Sequence, residues 1–145
     1  MNKTAAVSIF AFVVLGIAGF GGYQYKIQQD LTDAIESVAS NLSQKIFWCE
    51  LAEDQPKHKD ASLHQTLCEQ LSDRMDATYA SANDAGKKAG VESDEVFQRV
   101  QLAFANKMIA DNCDTVTLMT RGNARCNEAK AIRESAETVL QAMKS

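Results

Sequence analysis

The chain has 145 residues, with 15 Lys and Arg scattered among 19 Asp and Glu for a formal net charge of −4. That excludes the clustered basic stripe of a nucleic-acid face, so no nucleic-acid partner is expected. A single Pro and abundant Ala, Leu, Gln, Glu and Lys, without the Val/Ile/Thr alternation of strands, predict an all-α fold.

Residues 1–26 read as a unit of their own. From Thr4 to Tyr25, TAAVSIFAFVVLGIAGFGGYQY, there is no charged side chain. As a helix this stretch is about 33 Å long, enough to cross the hydrocarbon of a bilayer. At its far end Tyr23, Tyr25 and Lys26 offer amphipathic rings and a snorkelling ammonium suited to headgroup depth. The expectation is a retained transmembrane signal-anchor, with the lipid bilayer as first partner. A cleaved signal peptide is the alternative. Gly16-Ile17-Ala18 and Gly19-Phe20-Gly21 both fit the small-x-small cleavage rule, although a signal's apolar core runs only about 7–15 residues. Lys3 and the α-amine on one flank, against Lys26 followed by Asp30, Asp33 and Glu36 on the other, point the N-terminus to the cytoplasm. Gly19, Gly21 and Gly22 cluster before the aromatic belt; each costs a helix about 0.5–1 kcal/mol relative to Ala, so a hinge is expected there.

Residues 27–145 are expected to form one exported helical domain, a four-helix, two-hairpin bundle with hairpins at about 27–82 and 93–144. In the first helix Ile27, Leu31, Ile35, Val38, Leu42, Ile46 and Cys49 fall on one face at steps of four and three. Ala52–Lys59, with the only Pro and a run of charge, is the expected loop. Asp60 or Ser62 caps the second helix, and Ser62 with Gln65 fits a capping box. Its stripe is Leu63, Leu67, Leu71, Met75 and Tyr79, and it is expected to fade at residues 81–84 into a joint, NDAGKKAGVE. Ser93 caps a third helix with Asp94 and Glu95 in its first turn and Val96, Val100, Ala103, Phe104 and Met108 along its face. The fourth helix spans about 123–143, with Cys126, Ala129, Ile132, Ala136, Val139, Leu140 and Met143 as its stripe.

Cys49, Cys68, Cys113 and Cys126 all follow the anchor, and an even count in an exported domain reads as two disulfides. Two hairpins favour one of the three pairings. Cys49 with Cys68, and Cys113 with Cys126, would each bridge the legs of one hairpin near its tip. His58, His64, Cys68 and Cys49 invite a zinc reading, but that needs reduced thiols, which an exported compartment disfavours, so no metal is expected. Asn41-Leu42-Ser43 is a glycosylation sequon that falls mid-helix.

Two groups of residues are candidate partner contacts. One is Val116, Leu118 and Met119, apolar in what reads as a solvated hairpin tip; the other is Phe47 with Trp48 beside Cys49; for both groups packing on the bundle is the first reading and partner contact the second. No G-x-S-x-G, H-E-x-x-H, P-loop or G-x-G-x-x-G occurs, so neither an enzyme nor a cofactor is expected. The function expected is a single-pass bacterial inner-membrane protein whose periplasmic domain is an accessory or assembly subunit of a membrane or envelope complex, with a homo-oligomer left open. Alternatives are an exported soluble chaperone- or inhibitor-like binder after signal cleavage, and a phage lysis or exclusion protein with a releasable anchor.

Overall fold

Apolar residues at steps of three and four give each helix one stripe to bury, and burying four such stripes against one another sets the architecture. The computed structural model describes the backbone of residues 3–113 and 122–145, and the side chains of residues 21–113 and 124–145. It is all-α, with α1 (Lys3–Asp54), α2 (Ala61–Ala89), α3 (Ser93–Asn112) and α4 (Gly122–Ala142).

The expected anchor segment and the first bundle helix are one element, since α1 is a single helix of 52 residues. It runs through Gly21 and Gly22 in place of the expected hinge, and neither glycine takes a positive φ. Two weak helix formers do not interrupt a long helix once it is nucleated on both sides. The helix ends at Asp54, beyond the expected stop at Ala52. Pro56 disfavours helix only from the residue before it.

Three helix ends differ from the sequence reading. Asp60 holds the N-cap of α2 without a side-chain capping bond, which leaves Ser62 inside the first turn and unable to close the expected box. Gln65 Nε2 instead donates to Glu69 Oε1 at 2.7 Å. At the other end α2 continues past residues 81–84 to Ala89. Gly86 is buried within it, because a Cβ there would meet Val96 Cγ2 at 2.5 Å; the glycine admits α3 rather than breaking α2. Gly90 then stops the helix in the left-handed region at φ 71°. Its N–H donates to Lys87 O (3.2 Å) and that of Val91 to Gly86 O (2.8 Å), the paired pattern of a Schellman cap. Glu92 rather than Ser93 is the N-cap of α3, with Asp94 and Glu95 in the first turn.

Helix α1 packs on α2 and α3, and α3 packs on α4. Among the described residues, the α4 backbone approaches α3 alone; it meets α1 through side chains. Leu31 of α1 shares a core with Val96 of α3, and Ser43 Oγ donates to Met108 Sδ at 3.7 Å, so α1 and α3 run parallel while α2 and α4 return. The C-terminal ends of α1 and α3 and the N-terminal ends of α2 and α4 therefore lie together at the distal end. The proximal core is Leu31, Ile35, Val38, Met75, Ala82, Val96 and Val100; the distal core is smaller, made of Ala39, Phe104, Met108 and Ala129.

The expected stripe of α2 is rotated by one position at its start. Leu63 is 53% exposed, whereas His64 is only 7% exposed. His64 and Cys68 are four apart and share a face, and the bond from Cys68 to Cys49 turns that face inward.

Candidate functional site

At the distal end the chain ties itself together in one cross-section. Cys49 is joined to Cys68 with Cα atoms 4.8 Å apart, and Cys113 to Cys126 with Cα atoms 5.2 Å apart, so each hairpin is closed on itself. The parallel register of α1 and α3 puts Cys113 level with Trp48 and Cys49. Both disulfides thus sit at the same height, about 33 Å along α1 from Ile27 at 1.5 Å per residue.

Between the two bridges the hairpins are linked to each other by an ion pair. Arg125, next to Cys126, pairs with Glu50, next to Cys49; their side chains are 9% and 21% exposed. Burial pushes the Arg125 guanidinium below its ordinary range, and the Glu128 carboxylate pulls it back up. Its Nε is buried and makes no hydrogen bond. A guanidinium this enclosed stays charged and depends on its carboxylate partner.

A column of rings flanks the first disulfide. Phe47 and Trp48 meet edge to face at 5.0 Å, Trp48 lies 5.7 Å from the His64 ring, and His58 stacks on His64 at 5.7 Å. His58 Nδ1 accepts the Asp60 N–H at 3.3 Å, which holds the loop against the column. His64 Nδ1 is buried without a hydrogen-bond partner. Phe47 is 38% exposed and also lines a groove of about 300 Å³ with Lys107, Met108, Asp111 and Arg125. Both rings named as candidate contacts thus pack within the bundle end, and Phe47 keeps one open face.

The other expected site residues separate into three groups. Tyr23 (63% exposed), Tyr25 (72% exposed) and Lys26 lie on α1 where it leaves the bundle, and all three are exposed. Val116, Leu118 and Met119 lie outside the described residues. The thiols required by a zinc reading with His58 and His64 are bonded to each other, and no three His, Cys, Asp or Glu converge as metal ligands among the described residues. Asn41 of the sequon is half-buried and donates to Thr78 Oγ1 at 3.3 Å.

Glu50 and Arg125 are the distal residues that sequence reasoning missed, and His64, singled out there only for a zinc site, belongs instead to the buried ring column. The only mark of Glu50 and Arg125 is adjacency, since each neighbours a cysteine; His64 precedes Cys68 by one turn. Among the described residues no helix is long and apolar enough to cross a membrane. Most of the expected span, residues 4–20, lies outside the residues whose side chains are described. No protein-family model matches this chain, and no curated protein or solved structure matches it either.

Proposed function

We propose that this chain is a single-pass membrane protein whose disulfide-tied helical domain stands on the exported side of a bacterial inner membrane. It acts there as a non-catalytic accessory or assembly subunit of a larger membrane or envelope complex. One observation carries the reading: the charge-free stretch Thr4–Tyr25 belongs to the same helix as the bundle's first element, and Tyr23, Tyr25 and Lys26 are exposed where that helix leaves the bundle. The rings and the ammonium are the side chains that favour headgroup depth. Two disulfides support an oxidising compartment. At the distal end thiols are bonded to thiols, the guanidinium faces a carboxylate and the imidazoles pack on rings. This chemistry fixes a shape and supports binding rather than catalysis.

Alkaline extraction of membranes followed by intact-mass measurement tests the anchor. The full chain should remain in the membrane pellet with its disulfides intact. A soluble form whose mass begins at Gly19 or Gly22 would overturn the reading in favour of a released binder. For the subunit role, mild-detergent extraction should yield a complex with another membrane protein, and a lone monomer would count against it.

A further inference from the structure

The register of the helices shows that the proximal end of the bundle is level. Continuing the α1–α2 pairing from Cys49 with Cys68 and from Asn41 with Thr78 brings Val91 beside Ile27. The parallel register set by Ser43 with Met108, with Leu31 and Val96 in one core, places Ser93 beside Gln28. From Cys113 and Cys126, α4 ends at the height of the first turn of α3. Helices α2, α3 and α4 therefore each have an end within about one turn, roughly 5 Å, of a single plane, and α1 alone continues through it. Lys26, the last residue before that plane, is followed at once by Ile27 in the same helix.

We infer that this plane is an interaction surface for lipid headgroups: the bundle stands directly on the bilayer and holds its disulfide-tied end at a fixed height. The inference rests on the reading of residues 1–26 as a retained anchor. The chemistry of the base fits that occupant. Lys26, Lys87, Lys88 and Lys144 are exposed there together with Glu92 and Asp94, a mixture of signs suited to zwitterionic and anionic headgroups. The exposed tyrosines sit just below on α1, at the depth where amphipathic rings settle. No linker separates the bundle from the segment that would enter the membrane, so the domain has no slack in which to fold over. From Ile27 to Asp54 the upright bundle is about 42 Å tall. The Cys49–Cys68, Cys113–Cys126 and Glu50–Arg125 ties lie near its top, so a partner must reach that height or be built to it.

Neutron reflectometry on the full chain in a supported bilayer of phosphatidylethanolamine and phosphatidylglycerol tests this directly. The expected profile is a protein layer about 40 Å thick that begins at the headgroups with no intervening water. A variant with a flexible Gly-Ser segment inserted between Lys26 and Ile27 should show a thinner, more diffuse layer or a water gap. A wild-type layer of about 20 Å, the width of two packed helices, would mean that the bundle lies down. That result, or identical profiles for wild type and insertion variant, overturns the inference while leaving the anchor intact. Loss of the protein layer on washing would remove the anchor reading and the inference with it.

Discussion

In the proximal half of the bundle Leu31 and Val38 of α1 and Val96 and Val100 of α3 are at most 1% exposed and interlock with Met75 and Ala82 of α2; the distal half has Ala39 and Ala129 with Phe104 and Met108 in their place. The distal half carries instead two disulfides, a buried ion pair and a column of rings. Both halves are secured, but by opposite means. Apolar packing follows from periodicity and tolerates hydrophobic exchange, whereas covalent and ionic ties depend on particular residues and, for the disulfides, on the redox state of the compartment. A domain whose far end is locked this way keeps its tip geometry without a large core beneath it.

The distal ties depend most on Arg125. Arg125→Met leaves the Glu50 carboxylate without its guanidinium in a mostly buried setting and should cost about 3–4 kcal/mol in urea unfolding. A second change at the partner, giving Glu50→Leu with Arg125→Met, should recover most of that loss. A double mutant as unstable as the single would show that the pair is not what joins the hairpins.

Next in size come the disulfides. Bonds spanning 19 and 13 residues each constrain the unfolded chain by about 3 kcal/mol in the loop-entropy account. Cys113→Ala with Cys126→Ala should lower stability by roughly that amount, and adding reductant to this variant should lower it again through Cys49–Cys68. Leu31→Ala should cost a similar amount, about 3 kcal/mol, equally in reduced and oxidised protein. If its effect vanishes on reduction, the two halves do not behave separately.

Smaller effects separate the glycines. Gly86→Ala drives a methyl into Val96 and should cost about 1–2 kcal/mol net of the helix propensity it gains. Gly22→Ala, where a Cβ meets nothing within 4 Å, should stabilise α1 by up to about 1 kcal/mol. Thermal melts of the two variants should shift in opposite directions.

The smallest expected effect is alkaline. Burial raises the pKa of Tyr79, at the edge of the proximal core, above its ordinary value of 10.0. The folded state thus favours the neutral phenol, and its contribution is complete below pH 10 and lost as pH rises through the folded pKa. Tyr79→Phe should flatten the alkaline limb of the stability profile without changing it at neutral pH.

The proximal half was legible in the sequence because it obeys a period: Leu31, Ile35 and Val38, then Val96 and Val100, are spaced as a buried face demands, and they are buried. The cysteine pairing was legible for a related reason, since hairpin order brings sequential cysteines together. The pairing of Glu50 with Arg125 and the burial of His64 were not legible. A charge or an imidazole on an amphipathic helix reads as solvated unless its partner on another helix is known, and that partner is set by tertiary register. The end of α2 was misread because a glycine signals either a break or a close approach, and only the Val96 side chain decides between them at Gly86. The tip residues Val116, Leu118 and Met119 lie outside the described structure.

Residue-resolved hydrogen exchange on the oxidised and the reduced protein addresses the division of labour most directly. Reduction should collapse protection around Cys49, Cys68, Cys113 and Cys126 while Leu31–Val38 and Val96–Val100 keep theirs. Uniform loss of protection along all four helices, or none at all, would contradict an apolar base carrying a separately tied tip.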